Sequence, residues 1–208
     1  MALVENEHRI RQALRQLAFE EAVRAHEDAL RAADESTDFD PHEHIALLLE
    51  LGHAQTRAGH LEDGKATCAQ AAALARERKD AEMLARAALE HGTQLRFGRV
   101  DRELVALLEE ALRALGPADT TLRARVMARL AAAQQPALDP DGPIAMAREA
   151  IAMARRLGDR PTLLDTLRNG GSAMVDLGDL DERVALDREH AALAEELGNP
   201  VEALRGNM

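Results

Sequence analysis

The sequence predicts an all-α array of helical hairpins, and three observations carry that expectation. Helix-stopping residues fall at Phe39-Asp40-Pro41, Lys79-Asp80, Pro117-Ala118-Asp119, Gly158-Asp159-Arg160-Pro161 and Gly198-Asn199-Pro200, about 40 residues apart. A second series, at Gly59-His60-Leu61, Gly98-Arg99-Val100, Asp139-Pro140-Asp141-Gly142 and Gly178-Asp179-Leu180, halves each unit into two helices. The phrase from Ala58 to Gly92 also returns between Asp176 and Gly206. Composition agrees: 46% of residues are hydrophobic but Ala and Leu dominate, with three Phe and no Trp or Tyr. Strand formers are too sparse for a sheet.

Each element can be justified in order. Glu5 to Ala33 reads as helical, with an interruption near Ala18-Phe19, and offers Leu14, Leu17, Ala22, Val23, Ala29 and Leu30 to one buried face. An acidic break, Asp34 to Asp40, ends before Pro41, which suits a first helical turn. The next helix, to Ala58, carries a stripe of Ile45, Leu48, Leu49 and Leu51. Helix Leu61 to Arg78 lines one face with Gly64, Cys68, Ala71 and Ala75, so that two backbones can approach closely. Helices Ala81 to Arg96, Asp101 to Leu115 and Thr121 to Gln135 follow, the last capped by Thr120 or Thr121 and closed before Pro136. Ile144, Ala147, Ile151, Ala154 and Leu157 mark its partner, Pro161 starts another helix, and a further one spans Asp181 to Leu197. Asn199-Pro200 then opens a new helix.

Within the units, Gly52, Gly59, Leu61, Gly64 and Ala71 resemble the tetratricopeptide (TPR) pattern, and Gly171, Gly178 and Leu180 repeat the first three at the same spacing. The motif's aromatics are missing and the period exceeds the usual length of about 34 residues, which makes these divergent repeats. The stretches Leu17–Asp34, Leu47–Arg76, Val100–Ala132 and Leu180–Leu204 are similar to the repeat region of large actinobacterial and proteobacterial regulators. In those proteins an ATPase module precedes the repeats, and a LuxR-type helix-turn-helix or a cyclase module accompanies them.

The resemblance implies a right-handed α-solenoid and a MalT-like sensor or interaction segment. One TPR-like array is expected over residues 1–208: an N-terminal hairpin (1–40), core repeats (41–197) and the start of a truncated further repeat (198–208). No ATP site carries over, because Gly64-Lys65 is followed by Ala66 inside a helix rather than by Ser or Thr in a phosphate loop. The eleven residues after Leu197 are too few for a helix-turn-helix.

A formal charge of −11 argues against a sequence-independent grip on nucleic-acid phosphates. No apolar run approaches the roughly 20 residues of a membrane span, and the charged N-terminus is unlike a signal peptide. A cytoplasmic location is expected, and the single Cys68 fits a reducing compartment.

Candidate chemistry is thin. His42, His44, His53 and His60 with Cys68 form the one cluster that resembles metal ligands, but their spacing lacks the H-E-x-x-H pattern, so solvated or capping roles are expected and no metal or cofactor. Cys68 reads as a packed thiol. Asn169-Gly170-Gly171-Ser172 falls inside a helix, where a closely approaching neighbouring backbone is expected, or else a kink that admits a ligand. Asp187 and His190 occupy the positions of Cys68 and Ala71, which suggests a degenerate, partly solvated last repeat or a functional pair.

In TPR arrays the first helix of each pair lines the concave face, and carrying the Gly52 register forward puts His53, Arg57, Arg96, Arg125, Arg129 and Arg168 on or near it. Cations gathered on one face of an acidic chain suit an acidic peptide or a small anionic effector. Replacing Arg125 and Arg129 with Ala is expected to remove such binding while leaving the melting curve nearly unchanged.

The function expected is non-catalytic binding of a protein or effector, as the repeat segment of a bacterial signalling or transcriptional regulator. A stand-alone TPR-like scaffold is the alternative, and an enzyme ranks behind both because no convergent acid, base or metal groups stand out. Val201, Ala203 and Leu204 begin a helix without a partner, so self-association through the incomplete C-terminal repeat is a further expectation.

Overall fold

The structure, a computed structural model, describes residues 19–36, 39–92, 99–174, 179–199 and 202. Every regular element among the described residues is an α-helix. In order they are α1 (Phe19–Asp34), α2 (Pro41–Ala58), α3 (Leu61–Glu77), α4 (Ala81–His91), α5 (Arg102–Leu115), α6 (Thr121–Ala133), α7 (Asp141–Leu157), α8 (Arg160–Ala173) and α9 (Leu180–Glu196). The chain divides into two compact units, Met1–Thr93 with α1 to α4 and Gln94–Met208 with α5 to α9.

The breaks read from sequence are caps. Asp40, Asp80, Thr120 and Asp159 each accept a hydrogen bond from a backbone N–H of the helix they precede, and these four caps recur at the repeat period. Pro41 and Pro161 sit in the first turns, where no N–H is needed. In the interleaved series Asp101 and Asp179 do the same for α5 and α9. Gly59 (φ 93°) and Gly158 (φ 70°) close α2 and α7 in the left-handed region. The described part of the expected Ala81–Arg96 helix is α4, Ala81–His91, with Gly92 as its C-cap. Arg96 lies outside the described residues, as do residues 5–18 of the first expected helix and Val201, Ala203 and Leu204.

In the first unit Ala22 and Val23 of α1 pack on Leu51 and Ala54 of α2, with Leu30 and Ala58 at the margin. Between α2 and α3 the backbones nearly touch. A Cβ on Gly52 would lie 2.7 Å from Cys68 Sγ and 3.2 Å from the Gly64 carbonyl oxygen, while one on Gly64 would lie 2.9 Å from the Gly52 carbonyl oxygen. The small-residue face of α3 therefore does what its spacing suggested: it lets a hairpin close at glycine contact distance.

His26 of α1 is 2% exposed, and neither ring nitrogen has a hydrogen-bond partner among the described residues. Burial pushes its pKa down to about 4, and the charge of His53 adds to the effect. A His depressed in the folded state contributes stability that is complete above its unfolded pKa near 6.5 and is lost as pH falls through about 4. His53 has the opposite sign: its raised pKa gives stability present below 6.5 and lost as pH rises through the folded value. The first unit is expected to lose about 3 kcal/mol between pH 6.5 and 4 through His26. His26→Leu should flatten that limb of a stability–pH curve; an unchanged slope would show that His26 is not the group responsible.

In the second unit α6 is enclosed almost all round. Ala124 and every residue from Val126 to Ala133 are buried, Arg129 among them. Ala124, Met127 and Ala128 of α6 pack on Ala150, Met153 and Ala154 of α7. A second cluster joins Ile144, Ala147 and Ile151 of α7 to Leu164 and Leu167 of α8 and Leu186, Leu193 and Ala194 of α9. Helix α8 continues through Gly170 and Gly171. It is a neighbouring side chain, rather than the expected backbone, that needs the space: a Cβ on Gly170 would lie 2.7 Å from Ile151 Cδ1. At Gly171 the neighbour is the Asp187 carboxylate, 3.5 Å from a Cβ built there. The pair Gly171–Asp187 repeats the pair Gly52–Cys68 with an offset of 119 residues at both positions, three periods along the chain.

Candidate functional site

First-of-pair helices in the same unit lie side by side and are tied by bonds between residues about one period apart. In the first unit His53 Nδ1 of α2 lies 3.1 Å from Glu90 Oε2 of α4. That hydrogen bond raises the pKa of His53, against the effect of its burial. His42 Nδ1 lies 2.9 Å from Asp80 Oδ2, and His60 Nε2 lies 3.2 Å from Glu20 Oε1. The histidines that resembled a metal cluster are thus each turned towards a carboxylate from another helix or cap. Among the described residues no group of three or more His, Cys, Asp or Glu is placed to hold a metal. Cys68 is 1% exposed, and burial pushes its thiol up to about 12, with the Glu90 charge adding to the shift, so almost no thiolate exists at neutral pH.

Of the candidate cations, His53 and Arg57 belong to the first unit. The Arg57 guanidinium carbon stands 4.9 Å from the centre of the Phe19 ring, a cation–π geometry. The structure brings the other three described residues together in the second unit. Arg125 Nε donates to Asp165 Oδ2 at 3.0 Å, and Arg168 Nη2 donates to Asp165 Oδ1 at 2.6 Å. Arg129 Nη1 donates to Asn169 Oδ1 at 3.3 Å. Asn169 is held in that orientation by its Nδ2, which donates to the Asp165 backbone oxygen at 2.9 Å. Further along the same pair of helices, Gln135 Nε2 donates to the Ala173 carbonyl at 2.8 Å and satisfies an acceptor in the last turn of α8.

Arg129 departs from the sequence reading. It is 6% exposed, with Nη2 buried and without a hydrogen-bond partner among the described residues. Burial pushes its pKa down to about 10; the Arg168 charge adds to this and Asp165 opposes it. It remains a cation at neutral pH, held beneath the surface while the Arg125 and Arg168 side chains stay 43% and 42% exposed. Truncating Arg129 therefore cannot leave the melting curve unchanged, as a surface arginine would.

Sequence reasoning missed Asp165, and it singled out Asn169 only within the stretch Asn169-Gly170-Gly171-Ser172, not as a partner of Arg129. The signal was available: they stand 40 residues after Arg125 and Arg129, so a charge and its complement occupy the same place in consecutive repeats. His190 was expected in a partly solvated repeat, yet it is 4% exposed. Burial lowers its pKa and the Glu202 charge works against that.

The chain is similar to solved repeat structures along most of its length. BtubC (BKLC) from P. vanneervenii superposes with a TM-score of 0.68 at 18% identity, covering 94% of this chain and 91% of that one. This is a TPR-like repeat fold. A chain from P. anserina described as a kinesin light chain with nearly identical TPR-like repeats gives a TM-score of 0.65 at 19% identity over 93% of this chain and 96% of that one. A point-substituted form of that protein gives 0.67 at 17% identity over 94% of this chain and 96% of its own. No family model matches the chain, and no curated protein does. The TPR-like fold explains why the arginines meet: first-of-pair helices in consecutive repeats run alongside one another, so residues one period apart become neighbours.

Proposed function

We propose that this chain is a non-catalytic TPR-like binding module that takes an acidic segment of a partner protein at the Arg125–Arg129–Arg168 cluster. One observation supports the reading above the rest: three guanidinium groups gather around the carboxylate of Asp165 in a chain whose formal charge is −11. Asp165 balances one of the three charges, and Asp159 near Arg125 and Glu202 near Arg168 are the other carboxylates that the cluster senses. Two of its members are exposed enough to reach a ligand, and Arg forks suit carboxylates. His53 and Arg57 are not needed for this surface.

Charge-assisted bonds of this kind contribute roughly 1.5 to 3 kcal/mol each, so losing even one is expected to weaken binding about tenfold. Fluorescence anisotropy with labelled hexaglutamate tests this on the full chain. The parent should bind hexaglutamate in a salt-sensitive manner and ignore hexalysine, and Arg125→Ala/Arg168→Ala should bind at least about tenfold more weakly. Free glutamate competing as well as the peptide would point to a small anionic effector instead. Equal binding of hexaglutamate and hexalysine would overturn the proposal.

The finer reading, a repeat segment of a bacterial regulator, is supported by the sequence resemblance of Leu17 to Leu204 to MalT-like repeat regions. An ATPase or helix-turn-helix frame adjoining this coding sequence would favour it, and a free-standing gene would favour a scaffold.

A further inference from the structure

Folding alone does not account for Arg129. From Val126 to Ala133 the other residues of α6 are Ala, Leu, Met and Val, and every one is buried. A guanidinium placed among them gives up its water, and what replaces that water is incomplete. Nη1 donates to Asn169 Oδ1 at 3.3 Å, whereas Nη2 is buried and has no hydrogen-bond partner among the described residues. An unmade buried donor is costly, and folded proteins keep few of them without a use. The groups around it do not supply the missing acceptor. Arg125 and Arg168 carry only donors, and the Asp165 carboxylate is turned towards Arg125, Arg168 and the Asn169 amide.

The head of Arg129 nevertheless belongs with the exposed arginines. Arg125 stands one turn before it on α6, and Asn169 joins it to α8. The charges of Arg168 and Asp165 are both felt there, the first opposing its own and the second steadying it. We propose that Arg129 Nη2 is the inner contact of this cluster, donating to one carboxylate oxygen of an acidic side chain of the partner while Arg125 and Arg168 hold the same segment at the surface. The inference rests on the acidic-segment reading above and deepens it, because a desolvated cation with one open donor selects an anionic oxygen over a neutral one. Salt separates the two layers of contact: exposed charges are screened, and buried ones far less.

The test titrates labelled hexaglutamate into the parent, Arg129→Met and Arg125→Ala/Arg168→Ala. Arg129→Met removes the unmade donor along with the charge, so its helical circular-dichroism signal should match the parent. It should bind at least about tenfold more weakly. That ratio should persist as salt is raised from about 0.05 to about 0.5 M, while the ratio for Arg125→Ala/Arg168→Ala shrinks. A loss in Arg129→Met that fades with salt would mean that its charge acts at a distance, and the inner contact falls. As an independent reading on the parent, followed by NMR, the Arg129 Nη2 signals should move on saturation with hexaglutamate more than those of Nη1, which stays on Asn169. Should Arg129→Met lose its helical signal, this reading decides alone: unmoved Nη2 signals overturn the inference. If Arg129→Met binds as tightly as the parent while Arg125→Ala/Arg168→Ala binds more weakly, the inner contact falls and the acidic-segment reading stands. If the parent does not bind hexaglutamate, both fall.

Discussion

Gly64→Ala is expected to destabilise the first unit by about 2 kcal/mol, even though Ala is favoured over Gly by about 1 kcal/mol inside a helix. Besides meeting the Thr56 hydroxyl, which is nearest, the added methyl would sit 2.9 Å from the Gly52 carbonyl oxygen and 3.2 Å from the Thr56 backbone nitrogen. Both are backbone atoms, so neither can swing aside, and relief requires α2 and α3 to separate along their whole contact. Gly52→Ala makes a revealing companion, because beyond its nearest neighbour, Cys68 Sγ at 2.7 Å, backbone comes no closer than the Gly64 carbonyl oxygen at 3.2 Å. Cys68→Ala removes that sulfur, so the double variant Gly52→Ala/Cys68→Ala should recover part of the loss, whereas removing the Thr56 hydroxyl would leave the backbone contact of Gly64→Ala at 2.9 Å in place. For a unit of this size 2 kcal/mol corresponds to a fall of roughly 10 °C in melting temperature. Thermal and urea melts followed at the helical circular-dichroism band would measure it, and a Gly64→Ala protein as stable as the parent would sink the close-contact account.

Asp165→Asn is expected to cost about 2 to 3 kcal/mol in the second unit, because it removes the carboxylate around which three guanidinium groups are arranged. Stripping a fully buried charge of its partner costs roughly 3 to 5 kcal/mol, and the lower figure here reflects the solvent that reaches Arg125 and Arg168. Arg129→Met should behave differently. It exchanges a desolvated guanidinium, one nitrogen of which has no hydrogen-bond partner among the described residues, for an apolar chain of similar reach, at a cost of about 1 kcal/mol set by the Asn169 acceptor left behind. If Asp165 is the compensating charge, adding Arg129→Met to Asp165→Asn should recover part of the loss, a coupling that a double-mutant cycle isolates. Strictly additive effects would mean that Asp165 and Arg129 do not sense one another.

The sequence made the repeat legible because helix ends are local chemistry. An Asp or Thr whose side chain accepts from the first turn, a Pro in that turn and a Gly in the left-handed region each leave a mark without tertiary help, and Asp40-Pro41, Thr120 and Gly158 act as their types suggested. The α2–α3 contact was equally visible, since small residues at steps of three and four have few uses other than close approach. The burial of Arg129 was not visible. Its helix is Ala-rich on every side, so no polar stripe separates a wet face from a dry one, and a lone Arg there reads as the wet face. The contacts of Glu202 with Arg168 and His190 were hidden for another reason: they need the pairing of α8 with α9 and with a residue three places beyond Asn199, which no single helix encodes.

The most direct test of the account is to observe where an acidic segment touches the molecule. Backbone and guanidinium NMR signals of the full chain, recorded while hexaglutamate is added, should move first and furthest at Arg125, Arg129, Asp165, Arg168 and Asn169. Signals of the first unit, His53 and Arg57 included, should stay in place. Shifts centred on the first unit, or spread evenly over both units without concentration on α6 and α8, would contradict the claim that the arginine cluster around Asp165 is the binding surface.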